Sequence, residues 1–234
     1  YLENIIPHDF RGTVQCDAYG AYRTHARKHE GVELAGCWAH ARRKFHEAYQ
    51  QNEAKQRAAW ILRQIGLLYD IERDLRNSRA GPRLREAIRQ SRSRPIIKRL
   101  HSALKRFEAS RKHLPKSLMG KAIQYALGQW PMLNAWLEDG RIEIDNNLVE
   151  NAIRPTALGR KNWLFIGDED AGWRSAVIYS IIISCRNRGI DPYAYLKDVL
   201  TRLPTMTNHQ IREITPEAWA KAQDESEKIK RRSA

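Results

Sequence analysis

Residues 12–17, "GTVQCD", and residues 31–40, "GVELAGCWAH", decide what kind of fold this chain can build. The first is short, β-branched at Thr13 and Val14, and bounded by Gly12, so it predicts a strand. The second predicts another strand that passes into a helix. From "ARRKFHEAYQ" onward the apolar residues recur at helical spacing. Phe45, Tyr49, Trp60, Leu67, Leu68, Ile71 and Leu75 fit one long amphipathic face. "SRAGPR", residues 78–83, interrupts it, and Pro82 suits the first turn of a new helix. "PIIKRLHSALKRFEASR", "KSLMGKAIQYALGQW" and "PMLNAWLED" read as further helices, the last ended by Gly140. "RIEID", residues 141–145, alternates enough for a brief strand. A helix carrying Glu150 comes next, with Pro155 expected to limit its length. "NWLFIG" reads as a short extended segment. "AGWRSAVIYSIIISCRNRGI" is long enough to read as a buried helix closed by Gly189. Asp191 then serves as N-cap and Pro192 as first helical residue of another helix. The charged tail after residue 222 is expected to fray. The fold class is therefore α/β and helix-rich, with a long helical stretch inserted between the second strand and Glu150.

Composition narrows the function. With 42% hydrophobic and 29% charged residues the chain is globular rather than disordered. Its longest apolar run, "AVIYSIIIS", is too short to span a bilayer, and no signal peptide opens the sequence. The first residue is Tyr1, not methionine, which reads as a processed or partial chain. Three widely spaced cysteines, Cys16, Cys37 and Cys185, do not make a disulfide framework and point to a reducing cytoplasm. Net charge is +14, which favours a polyanionic partner. Residues 51–130 hold 19 Lys or Arg against 6 Asp or Glu, so nearly all the excess lies in the helical stretch. A phosphate-tracking surface and a solvated helical face both fit that pattern.

Few residues are suited to chemistry. Asp17 ends the first predicted strand, where open α/β sheets place ligand sites, although a turn aspartate before Gly20 would look the same. Glu150 stands three residues after Asn147, which is the spacing of a capping box. It equally suits a divalent-metal site with Asp17, because Mg²⁺ prefers carboxylate oxygens. Two such ions activate water and stabilise a leaving oxygen in phosphoryl transfer. Cys37 and His40 form a C-x-x-H pair. A structural zinc needs two more ligands, so no zinc is expected and the pair reads as support beside the site. "RPTALGRKNW" places Arg154, Arg160, Lys161, Asn162 and Trp163 just after Glu150. The cations suit phosphates and Trp163 suits stacking on an unpaired base, or the stretch is a basic loop with a core tryptophan.

These motifs together resemble one family. "LVENAIRPTALGRKNWLFIG" resembles the terminal-glutamate block of insertion-sequence-66 family transposases, and "VQCDAYGAY" resembles that family's second-aspartate block. "CWAHARRKF", "SLMGKAIQYALGQW", the "DNN" of residues 145–147 and "DPYAYLKDVLTRLP" match in order and approximate spacing. The resemblance implies a DDE transposase (an Asp-Asp-Glu triad) on a partial ribonuclease-H-like fold with a large helical insertion, lacking its first strands. Asp17 would be the second acid and Glu150 the third, with Asn146 and Asn147 in support. The implied cofactor is Mg²⁺ or Mn²⁺, two ions in the intact enzyme. The implied partners are DNA, as transposon ends and target, and further copies of the protein in a synaptic complex, in a bacterial cytoplasm. The implied segments are residues 1–50 as partial core, 51–140 as basic helical insertion, 141–190 as glutamate helix and return to the core, and 191–234 as carboxy-terminal helices and tail.

The first acid of such a triad lies on a strand upstream of the "QCDAY" block. Only 16 residues precede Asp17, and Asp9 in "PHDF" does not sit in such a strand pattern. The chain alone is therefore expected to be inactive in strand transfer and to expose an apolar sheet edge. A non-catalytic DNA-binding remnant is the alternative reading.

Overall fold

The computed structural model describes residue 2 and residues 5–17, 19–163 and 169–232. The chain divides into two compact units, residues 1–149 and residues 150–234.

The first unit opens on a parallel strand–helix–strand turn. Strand β1 (Gly12–Gln15) and strand β2 (Val32–Ala35) pair in parallel, Gly12 opposite Val32 and Gln15 opposite Ala35. Helix α1 (Gly20–Lys28) makes the crossover that a parallel pair requires. Among the described residues these two strands form the whole sheet. Gly31, at φ +91°, supplies the turn into β2 that a side chain would strain.

Helices follow in close succession: α2 (Trp38–Gln50), α3 (Lys55–Asn77), α4 (Pro82–Ile88), α5 (Arg94–Ala109), α6 (Leu118–Gly128) and α7 (Trp130–Asn134). A π-helical turn, Arg89–Ser93, joins α4 to α5 without a break. Pro82 does stand in the first turn of α4. Trp38, Phe45, Ile61, Ile65, Leu68, Leu100, Leu104, Met119, Ile123 and Trp136 form a continuous core. The Trp38 indole N–H donates to the Leu133 carbonyl at 2.6 Å, which satisfies the one polar atom of this buried ring.

A charged network is sealed into the same unit. Arg89 and Glu72 are both fully buried, and the Arg89 guanidinium donates to both Glu72 oxygens, at 2.8 and 2.7 Å. Its remaining donors reach the carbonyls of Trp136, at 2.7 Å, and Asp139, at 3.0 Å. Arg85 bridges Glu72, at 3.1 Å, and Glu143, at 2.7 Å. Such a pair withstands its desolvation only with its hydrogen bonds filled, as here. The network ties α3 and the π turn to residues 136–143, which lead to the site described below.

Several sequence expectations are corrected. "RIEID" forms no strand: the Glu143 carbonyl accepts from Gln15 Nε2 and the Ile144 carbonyl from the Trp38 backbone N–H, so this backbone meets a side chain and a helix terminus instead of a ladder. Trp60 and Leu67 do not join the buried face of α3; each is 38% exposed, because the buried stripe runs through Ile61, Ile65, Leu68, Glu72 and Leu75. Pro155 does not limit its helix: α8 runs Asn147–Trp163, since a proline removes one rung of the hydrogen-bond ladder without ending it. The tail does not fray at residue 222. Helix α11 (Pro216–Arg232) carries through it, aided by the Lys221–Glu217 pair at 2.8 Å.

The second unit comprises α8 from Glu150 onward, α9 (Glu169–Asn187), α10 (Pro192–Arg202) and α11. Helix α9 confirms "AGWRSAVIYSIIISCRN" as helical but not as buried, since Trp173, Val177 and Ile178 are exposed and Cys185 alone of residues 171–187 is buried; Gly189 at φ +68° makes the turn after it. Asp191 caps α10 by accepting from the Tyr193 N–H at 3.2 Å. A small core of Cys185, Ile190, Tyr195, Val199 and Ile214 is locked by the Tyr195 hydroxyl, which donates to the Ile214 carbonyl at 2.6 Å. Of "NWLFIG", Asn162 and Trp163 close α8 instead of being extended, and residues 164–167 lie outside the described residues.

Candidate functional site

Asp17 follows β1 by two residues and so stands at the carboxyl end of the parallel pair. Its Oδ1 accepts the Tyr19 backbone N–H at 2.9 Å, the geometry of an aspartate-led turn. Among the described residues no protein hydrogen bond or ion pair reaches Oδ2. The turn role occupies one oxygen and leaves the other open.

Residues 143–146 lie against the same ends of the strands, held by the Gln15–Glu143 bond at 2.6 Å and the Trp38–Ile144 bond at 3.1 Å. They bring up a second acid, Asp145. Its Oδ1 accepts the Asn147 backbone N–H at 3.1 Å and its Oδ2 accepts the Asn147 side-chain amide at 2.9 Å. Both oxygens are thus engaged in starting α8. Asn147 is the first residue of that helix, so Glu150 is its fourth residue, one place beyond the capping-box position expected of it. Asp145 performs the terminus work that the sequence assigned to Asn147.

The surroundings of the two acids are protonated and largely buried. Burial, reinforced by the Asp17 carboxylate, pushes the Cys16 thiol from 9.0 up to about 11. Burial also raises the Cys37 thiol, against the pull of the Asn146, His40 and Ala39 backbone N–H groups, with Asp145 adding to the rise. The Tyr125 phenol is pushed up to about 12, first by burial and then by Cys37 and Asp17. Burial and Asp145 hold the Tyr69 phenol well above its ordinary range. At neutral pH the thiols and phenols carry no charge, so the carboxylates are the anionic groups of this corner. Cys37 is 2% exposed and packs as a small apolar residue.

The other expected residues lie on α8. Arg154, Lys161 and Asn162 are exposed; the side chains of Arg160 and Trp163 lie outside what is described. Glu150 is half-buried and opens the second unit, whereas Asp17, Cys37, His40, Asn146 and Asn147 belong to the first. Among the described residues no group of three or more His, Cys, Asp or Glu side chains is arranged to hold a metal ion. The donor chemistry of Asp17, hard oxygen with one atom open, fits Mg²⁺ or Mn²⁺. Sequence reasoning passed over Tyr69 and Tyr125; it set Asp145 at the positive end of the Glu150 helix, where the structure has it, but did not foresee its bonds to Asn147. The signal for Asp145 was present in "DNN", since an aspartate two residues before an asparagine readily closes such a turn.

Comparison with known proteins decides the family. The family model described as "Transposase IS66 family" matches residues 2–174, and the one described as "IS66 C-terminal element" matches residues 180–217. The chain belongs to the IS66 transposase family. It is similar to three uncharacterized proteins of Sinorhizobium fredii. One, y4jD, is 38% identical over 218 residues, which is 90% of this chain and 42% of that protein. Another, y4qI, is 37% identical over 204 residues, covering 83% of this chain and 36% of that protein. The third, y4hP, is 34% identical over 227 residues, covering 91% and 40%. The chain thus spans about two fifths of the length of the curated relatives it matches. No solved structure matches it significantly. Among the described residues no helix of this IS66-family chain is long and apolar enough to cross a membrane.

Proposed function

We propose that this chain is the carboxy-terminal part of the catalytic region of a DNA transposase, in which Asp17 and Glu150 are two of three acidic metal ligands. The observation that carries the reading is the family match over residues 2–174, which takes in both acids, together with the open Oδ2 of Asp17 at the strand end. The ribonuclease-H-like frame is part of this proposal, and β1–α1–β2 is its parallel fragment. Bound divalent ions would supply Lewis acidity and an activated water for cleavage at a DNA phosphate. The chain's own residues position the groups. Asp17 is oriented by the Tyr19 N–H, Asp145 fixes the start of the Glu150 helix, and Arg154, Arg160, Lys161, Asn162 and Trp163 meet the DNA.

Asp17 and Glu150 alone leave two divalent ions short of anionic ligands, so the proposed reaction needs a third acid. The test uses the full-length protein with its upstream acid, a supercoiled plasmid carrying the transposon ends, and Mg²⁺. Asp17→Asn and Glu150→Gln should each abolish end cleavage while leaving DNA binding in place. Cleavage that survives either substitution sinks the catalytic assignment. The basic composition of residues 51–130 supports a second reading, DNA binding without catalysis, and metal-independent behaviour of the same protein would favour it.

A further inference from the structure

The first unit carries two populations of arginine. Those of the first are paired: Arg76 with Glu143, Arg85 and Arg89 with Glu72, and Arg94 with Glu138. Three further acids of the segment are also engaged. Asp70 pairs with Arg73 at 2.8 Å, Glu108 with Lys105 at 3.4 Å, and Glu53 accepts the N–H groups of Leu118 and Met119. On α3, the π turn and α5, Arg63, Arg92, Arg99 and Arg106 are exposed, and no carboxylate among the described residues pairs with them.

Arg92 and Arg99 line one groove, and Arg63 and Arg106 stand further along the two helices that form it. Leu67 and Asp70 of α3 face Arg92, Pro95, Ile96 and Arg99 across it. The two helices run antiparallel: Arg57, at the start of α3, bonds His113 at 2.8 Å and lies over the Phe107 ring, at the far end of α5. Trp60, Arg63 and Leu67 therefore follow one another along one wall, at helical spacings of three and four. Arg92, Arg99 and Arg106 follow at spacings of seven along the other, a stripe that drifts only slowly around a helix. Trp60 and Leu67 are the residues whose exposure contradicted the amphipathic pattern. A merely solvated basic face does not need an exposed tryptophan at its centre. A strand of nucleic acid presents what this groove lacks: closely spaced negative charge beside flat apolar surface.

We propose that the α3–α5 groove is a second DNA track, where Arg63, Arg92, Arg99 and Arg106 pair with backbone phosphates and Trp60 and Leu67 carry sugar and base surface. The choice of DNA as the strand rests on the transposase reading. The contact is separate from Asp17 and Glu150 and needs no metal.

Fluorescence anisotropy of this chain with labelled single-stranded and duplex oligonucleotides, across a salt series, tests it. For the Arg63→Gln, Arg92→Gln, Arg99→Gln triple variant, the slope of log affinity against log salt should flatten by about two to three units, since each phosphate contact contributes about 0.7 to 0.9. Trp60→Ala should weaken single-stranded binding about tenfold. A control variant, Lys112→Gln, Lys116→Gln, Lys121→Gln, removes equal charge from exposed positions outside the groove and should change the slope less. All substituted side chains are exposed, and circular dichroism checks that each variant folds. Three results overturn the track: an unchanged slope in the groove variant, an equal change in the control, or loss of self-association instead of DNA binding in Trp60→Ala. In each case the plasmid-cleavage assay on Asp17 and Glu150 still judges the transposase reading independently.

Discussion

Cys16 is held by its surroundings in the protonated form. Its thiol is pushed from 9.0 up to about 11, first by burial and then by the neighbouring Asp17 carboxylate. A folded state that keeps its proton longer than the unfolded chain is fully stabilised below pH 9. It loses that contribution as pH rises through about 11. Tyr125, pushed up to about 12, and Cys37 act in the same direction. Urea midpoints measured from pH 8 to pH 11 should therefore fall through this window, and Cys16→Ala should make the fall shallower. A midpoint that is flat in the wild type, or unaltered in slope by the substitution, contradicts this arrangement of charges. Asp17 thus acts on its neighbours whether or not it ever holds a metal.

At the scale of the element, α6 shows how a distant residue starts a helix. Ser117 caps it by accepting the Gly120 N–H, and Glu53, from the turn between α2 and α3, accepts the N–H groups of Leu118 and Met119, both at 3.0 Å. Burial works against the Glu53 carboxylate, yet the Ser117 hydroxyl and these two amides keep it below its ordinary range. Glu53→Ala strips two donors at a helix terminus and should cost about 1–2 kcal/mol, read as a lowered urea midpoint at neutral pH. Glu53→Gln, which keeps an acceptor, should lose less. Equal midpoints for wild type and Glu53→Ala would show that water replaces the carboxylate without cost. The sequence reading ran the helix from Lys116 and so did not single out Ser117, and Glu53 was invisible, because its partners lie 65 and 66 positions away.

Across the whole molecule, legibility followed the range of the interaction. The helix break before Pro82, the turn at Gly189, the Asp191 cap and the two strands depend on neighbours in sequence, and they were readable as such. The buried Arg89–Glu72 pair was not, since both residues look like surface charge until the fold brings them together. Asp17 and Glu150 stand out through the family blocks around them, while the bonds that residues 143–145 make were concealed by reading "RIEID" as a strand. The exposed Trp60 and Leu67 broke the amphipathic pattern because α3 buries a stripe centred one position away. The misreading of "RIEID" arose where long-range partners, Gln15 and Trp38, took backbone groups that local periodicity had already allotted to a strand.

The bonds that shape the site span the longest stretches of chain: Gln15 to Glu143, 128 residues apart, and the Trp38 indole to Leu133, 95 apart. The helices between them form from nearby residues, whereas these closures carry a loop entropy that grows with the enclosed length. The site therefore assembles last and opens first. In native-state hydrogen exchange, the amides of Trp38 and Gly36, which bond the Ile144 and Met132 carbonyls, should open at lower free energy than the buried amides of α3. A single shared opening for all of them would show the unit to be one cooperative block. If the two classes separate, a warmed or mildly denatured chain keeps its helicity after the corner around Asp17 has come apart, so a helical spectrum is no guarantee of a competent site.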